Sequence, residues 1–204
     1  MEFKNAYNLI IAGVGGQGNV LVSQLIGQTF IEKGYFVTIG ETYGASQRGG
    51  AVMSHIRISP KTQLSPLIPK GKADILIALE PIEAIRVLIP YGNPYVIGLI
   101  NTRPIYPVDV TAGLVAYPEM KEIKESIESL CMRVYYIDAT EKALKMDSPI
   151  LANMIMMGTL IELELLPFNY SDFYEILSVN FDEEKIELNA KAINEGRNAV
   201  AKIR

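Results

Sequence analysis

Cysteine and histidine are almost missing from this 204-residue sequence. A single cysteine, Cys131, excludes a disulfide framework, a cysteine-rich zinc site and a self-contained iron–sulfur cluster. A single histidine, His55, excludes a His-rich metal site and leaves little material for a Ser-His-Asp triad. Basic charge is not in excess: 19 Lys and Arg against 23 Asp and Glu give a net −4, which does not favour a nucleic-acid backbone as partner. The first hundred residues carry 8 basic and 6 acidic groups, so the mild positive excess lies in the N-terminal half. A membrane span is also missing. Residues 5–31 carry no charge, but Asn8, the glycines at 13, 15, 16 and 18, and Gln17, Asn19, Ser23, Gln24 and Gln28 interrupt them too often to cross a bilayer. No basic stretch with a small-residue cleavage site leads the sequence, so a cytoplasmic location is the expectation.

What is present is globular in character, with 49 % hydrophobic and 21 % charged residues. A chain of this length buries roughly 70 % of its unfolded surface, enough for one domain over 1–204 with a helical C-terminal part from about 149. Residues 7–13 are an apolar run ending in glycine, which predicts a buried strand. Apolar residues at 21, 22, 25, 26 and 30 predict a helix over 15–33, stopped by Gly34. A second strand is expected over 35–39. Residues 51–58 alternate, with Met53, His55 and Arg57 on one face, and fit an edge or antiparallel strand. Three prolines between 59 and 72 mark a loop. Further strands are expected over 74–79, 95–100 and 133–137, with a short one near 108–116. Helices are expected over 81–89, 119–130, 139–145, 149–165, 173–179 and 183–203, the 149–165 one buried on nearly every face. This alternation implies an α/β, three-layer sandwich with a mainly parallel sheet and C-terminal helices.

The strongest local signal is Gly13-Val14-Gly15-Gly16-Gln17-Gly18, a G-x-G-x-x-G between a strand and a helix. Glycines permit a tight turn and close backbone approach, and free N–H groups at a helix start attract a phosphate. Glu41 ends the second strand, where a ribose-binding acid sits in dinucleotide-binding folds of the Rossmann type. The same glycines would serve a tight strand–helix junction that binds nothing. A second loop, Glu41 to Gly50, contains Ser46, Gln47, Arg48, Gly49 and Gly50. If its flanking strand runs parallel to the first, both loops lie on one sheet edge, the edge where open α/β sheets carry their sites. Arg48, flanked by glycine, can fork onto a phosphate, a carboxylate or a partner chain, or be an ordinary surface arginine. His55 fits a packed or a solvent-facing side chain rather than a catalyst, and Cys131 and the methionines 154, 156 and 157 fit packing roles. Asn153, polar in an apolar helix, needs a partner. Asp182, Glu183 and Glu184 fit a helix N-terminus. No residue is nominated as catalytic or as a metal ligand.

Taken together, the two loops carry a family resemblance. Gly-Val-Gly-Gly-Gln-Gly at 13–18, Glu-Thr-Tyr-Gly-Ala-Ser-Gln-Arg-Gly-Gly at 41–50, Ser65 to Pro69, Ala73 to Ala84, Ile137 to Thr140 and Asn153 to Gly158 resemble, in order, the gamma-type subunit of 2-oxoacid:ferredoxin oxidoreductases. The Ser-Gln-Arg-Gly-Gly loop and the Ser-His-Ile-Arg strand look most like the indolepyruvate branch. The resemblance implies a complex that decarboxylates a 2-oxoacid on thiamine diphosphate and magnesium, passes electrons through iron–sulfur clusters to ferredoxin, and hands the acyl group to coenzyme A. The chain has no Gly-Asp-Gly followed by Asn-Asn for thiamine diphosphate, and one cysteine cannot hold a cluster, so a large partner subunit must carry those cofactors. This chain would then cover the active site, with Gly15, Gly16, Gln17, Gly18 and Arg48 as candidate residues toward coenzyme A and Gly13, Glu41, Ser46, Gln47, Gly49 and Gly50 as further candidate cofactor-binding residues. Two other readings compete: a free-standing NAD-dependent dehydrogenase built on the glycine turn and Glu41, and a non-catalytic nucleotide-binding assembly module.

Overall fold

The computed structural model describes residues 6–43 and 50–200. The chain runs β1 (Tyr7–Val14), α1 (Asn19–Glu32), β2 (Phe36–Tyr43), β3 (Ala51–Ser59), β4 (Ile75–Ala78), α2 (Pro81–Tyr91), β5 (Ile97–Asn101), α3 (Val108–Thr111), α4 (Met120–Leu130), β6 (Arg133–Ile137) and α5 (Ala139–Leu144). A 3₁₀ turn at Pro149–Leu151 then leads into α6 (Ala152–Glu162), α7 (Tyr170–Asn180) and α8 (Glu183–Val200). The six strands form one sheet in the order β2-β3-β1-β4-β5-β6. β1, β4, β5 and β6 pair in parallel, whereas β3 is antiparallel to both of its neighbours.

Period-two alternation sends the strands' apolar residues to two separate cores. Leu9, Ile11, Ile56, Ile58, Ile75 and Ile77 meet Val22, Leu25, Ile26 and Phe30 of α1 and the C-terminal helices. Ile10, Ala12, Leu76, Ala78 and Ile100 meet Ala84, Val87 and Leu88 of α2 and Ile123 and Ile127 of α4. The three-layer, mainly parallel sandwich expected from the sequence is the one observed. Helix α6 is buried from Ala152 to Ile161, and α8 crosses it backbone to backbone. A Cβ on Gly158 would lie 1.9 Å from the Ile193 carbonyl oxygen, and one on Gly196 would lie 1.9 Å from that of Ile155.

Three local expectations need correction. β3 is the antiparallel strand that its alternation allowed, but the edge alternative fails, since it is inserted between β1 and β2. Residues 108–111 form a single helical turn rather than a strand, after Pro107 has set the entry. α1 begins at Asn19 rather than near 15, because Gly16 (φ 104°) and Gly18 (φ 82°) hold a left-handed turn ahead of it.

Candidate functional site

β1 and β4 lie side by side and in parallel. The chain leaves β1 through α1 toward β2, on one face of the sheet. It leaves β4 through α2 toward β5, on the other face. The carboxyl ends of β1 and β4 thus form a topological switch point, where an open α/β sheet leaves a crevice. A cleft of about 190 Å³ opens there, lined by Gly16, Gln17, Leu79, Ile105, Thr140, Ile150 and Asn153 among others.

Gln17 and Asn153 line this cleft, and with the buried Asn101 behind them they form a set of carboxamides joined through two backbone carbonyls. Gln17 folds back into its own turn: its Oε1 accepts the Val14 N–H at 2.7 Å and its Nε2 donates to the Leu79 carbonyl at 2.9 Å. Gly13 makes room for it, since a Cβ at 13 would fall 2.5 Å from Gln17 Oε1. The Leu79 carbonyl also accepts from Asn101 Nδ2 at 2.9 Å. Asn101, fully buried at the end of β5, exchanges two further hydrogen bonds with Thr140, donating to its hydroxyl and accepting from its N–H. From α6, Asn153 Nδ2 donates to the Gln17 carbonyl at 3.2 Å, which is the partner its apolar setting demanded. The glycine turn is therefore tied to β4, β5 and the C-terminal helices. Gly15 N–H closes the turn onto the Gly50 carbonyl at 2.9 Å, so the start of β3, and with it the end of β2, lie at this same edge.

Helix α1 starts at this rim with no side-chain cap and no acidic residue in its first turn. Its opening N–H groups and positive dipole end suit an anion. The opposite rim is held by Glu80, which is buried. Its Oε2 accepts the Glu83 N–H, and its Oε1 accepts the Ile105 N–H at 3.3 Å and the Tyr117 hydroxyl at 2.5 Å. Burial, and then the bond to Glu80, push the Tyr117 phenol well above its ordinary range. Burial likewise raises Glu83, with Arg86 opposing.

Of the residues singled out from the sequence, Gly13, Gly15, Gly16, Gln17, Gly18 and Gly50 come together at the switch point. Ser46, Gln47, Arg48 and Gly49 lie outside the described residues. Glu41 is placed elsewhere: its carboxylate accepts from Ser23 Oγ at 2.9 Å and from Ser54 Oγ at 2.6 Å, tying α1, β2 and β3 together. With β3 between β2 and β1, this acid stands two strands from the glycine turn, roughly 10 Å. The neighbouring-strand geometry that puts an acid on a dinucleotide ribose is not formed. His55 is fully buried; its Nδ1 accepts the Ile68 N–H at 3.4 Å, Tyr91 packs edge-on at 5.1 Å, and burial lowers its pKa. Asn101 and Thr140 were missed as site residues. The signal for Asn101 was available: a polar side chain directly ending an apolar strand on the site-bearing edge.

The model of the pyruvate ferredoxin/flavodoxin oxidoreductase family matches residues 8–199. The chain belongs to this family. The indolepyruvate oxidoreductase subunit IorB of Archaeoglobus fulgidus is 37 % identical over 191 residues, covering 94 % of both chains. Two solved structures share the fold. A Geobacter sulfurreducens keto/oxoacid ferredoxin oxidoreductase gamma subunit is 19 % identical, with a TM-score of 0.66 over 96 % of this chain and 99 % of its own. A Magnetococcus marinus 2-oxoglutarate:ferredoxin oxidoreductase, with 2-oxoglutarate, coenzyme A and succinyl-CoA bound, is 21 % identical, with a TM-score of 0.75 over 98 % of this chain and 32 % of its own. Within this oxidoreductase family, the donor set of the present chain does not fit a cluster. Cys131 offers one thiolate where four are needed, and burial pushes that thiol up to about 11. Among the described residues no group of three or more His, Cys, Asp or Glu is placed to hold a metal ion. None of their helices is long and apolar enough to cross a membrane.

Proposed function

We propose that this chain is the gamma-type subunit of a 2-oxoacid:ferredoxin oxidoreductase acting on indolepyruvate or a related aryl or branched 2-oxoacid, and that it closes the active site and receives coenzyme A at the switch-point edge. Thiamine diphosphate, magnesium and iron–sulfur clusters belong to a larger partner subunit, and ferredoxin is the electron acceptor of the complex. The observation that carries this reading is the uncapped start of α1 beside a carboxamide-lined cleft, in a chain matched to this family over nearly its whole length. The thiamine group supplies the electron sink for decarboxylation. The roles left to this chain are binding and exclusion. The Gly16–Gly18 turn and the first-turn N–H groups of α1 take the diphosphate, Arg48 adds a guanidinium fork, and Ile105 and Ile150 keep water from the arm that enters the cleft. Gln17, Asn101 and Asn153 hold that turn in one geometry.

The test is kinetic, on the complex reconstituted with its large subunit. Arg48→Ala should raise the KM for coenzyme A about ten- to a hundredfold, the value of a charge-assisted contact of roughly 1.5–3 kcal/mol. Arg48→Lys should recover only part of it, since an ammonium lacks the planar fork. The pure chain alone should turn over no 2-oxoacid. Stoichiometric turnover by the isolated chain, or unchanged coenzyme A kinetics in Arg48→Ala, would overturn the assignment.

A further inference from the structure

The segment between β5 and α4 holds apolar side chains out into solvent at fixed positions. Val108 is 81 % exposed, Leu114 74 %, Tyr106 58 % and Val115 56 %. Over residues 102–118 the only charged side chains are Arg103 and Asp109, and Arg103 is already paired with Glu141. The segment is anchored: Glu80 takes the Ile105 N–H and the Tyr117 hydroxyl, Tyr106 packs edge-on against Tyr117 at 5.1 Å, and α3 closes on the Leu114 N–H to Asp109 carbonyl bond at 2.9 Å. Ile105 of this segment and Ile150, itself 49 % exposed, line the cleft. The apolar surface is thus continuous with the cleft's rim. Other strongly exposed apolar residues, such as Val179 on α7, stand apart from that rim.

We infer that this rim surface, carried by the 105–115 segment and Ile150, is where the thiamine-bearing large subunit docks. The inference rests on the function proposed above. A coenzyme A molecule held at the glycine turn must present its thiol to a carbon that this chain does not hold. The chain that does hold it must therefore abut the mouth of the cleft. The chemistry of the rim agrees with that occupant over ferredoxin: lasting subunit contacts are apolar at their centre and poor in charge, whereas transient electron-transfer encounters are small and steered by charge.

The experiment co-expresses the full chain with its large subunit and compares Val108→Asp/Leu114→Asp with Val179→Asp. All three positions are exposed, so each variant should melt within about 2 °C of wild type. The rim variant should recover the large subunit at least about tenfold less, because its carboxylates would be buried unpaired in the contact. Val179→Asp should match wild type. In parallel, amide exchange over residues 102–116 of the wild-type chain should slow in the complex while that of α7 does not. Undiminished recovery by the rim variant, or no protection over 102–116 in an intact wild-type complex, overturns the docking surface and leaves the subunit reading standing. A wild-type chain that never recovers a large subunit overturns both.

Discussion

Replacing Gly18 with alanine should separate two costs that the glycine turn combines. The first is backbone strain: Gly18 sits at φ 82°, and a left-handed conformation costs an L-residue about 1–2 kcal/mol. The second is a collision, since the new Cβ would lie 2.3 Å from Asn153 Nδ2. Asn153 is buried in α6, so it can yield only by swinging off the Gln17 carbonyl. That leaves a buried donor and acceptor apart, a loss of roughly 1–3 kcal/mol. The expected sum is about 2–5 kcal/mol, or a fall in Tm of roughly 5–15 °C for a chain this size. Gly16→Ala is the internal control. Its φ is 104°, but no atom stands within 4 Å of the added Cβ, so only the strain of about 1–2 kcal/mol applies. In an Asn153→Ala background, Gly18→Ala should fall to that same strain cost, a coupling of about 1–3 kcal/mol in a double-mutant cycle. Urea and thermal unfolding of wild type, the three single variants and the double variant read all of these terms. Equal losses at 16 and 18, or a Gly18→Ala cost indifferent to Asn153, would refute the idea that α6 holds the turn.

Gly196→Ala should be severe, about 3 kcal/mol or more by thermal unfolding, because its Cβ meets a backbone carbonyl rather than a movable side chain; a loss under about 1 kcal/mol would mean that α6 and α8 do not cross this closely. His55 should make stability depend on pH. Burial holds its folded pKa below the ordinary 6.5, so the unfolded chain takes the proton first, and the stability of the neutral form is complete above about pH 6.5 and lost as pH falls below it, at up to about 1.4 kcal/mol per unit. Unfolding free energies of wild type and His55→Gln across about pH 5–8 should diverge on the acid side, and parallel curves would contradict the burial. Calorimetric titration of the chain with NAD or NADP should show nothing tighter than roughly 1 mM, about −4 kcal/mol, since Glu41 is held by Ser23 and Ser54; a micromolar constant would revive the dehydrogenase reading.

Much of the architecture is local, and so was legible from residues alone. Apolar runs ending at Gly13, at Leu79 and at Ile100 announce buried strands whose periodicity needs no partner to be recognised. β6 falls at residues 133–137, where its pattern places it. Pro81 starts α2 by short-range chemistry that any helix obeys. The Gly13–Gly18 turn lies at the carboxyl end of β1, as its place between a strand and a helix predicts, and a polar residue in an apolar helix announces that Asn153 must find a partner. One cysteine in 204 residues settles that this chain supplies no complete cluster ligand set.

What the sequence left open is every choice between partners distant along the chain. An alternating strand such as β3 can pair on either side, and only the assembled sheet inserts it between β1 and β2, which carries Glu41 away from the glycine turn and into a bond with Ser54. The Leu79 carbonyl, shared by Gln17 and Asn101 from opposite directions, lies 62 and 22 residues from its donors, and Asn153 reaches Gln17 across 136. Gly158 and Gly196 look like weak points in their helices until the two backbones are seen to touch. Hydrophobic periodicity and capping are written in neighbouring residues, because they depend on one segment's own geometry. Strand neighbours, carboxamide partners and helix crossings belong to the tertiary structure, because each is decided by which segments become adjacent when the whole core closes.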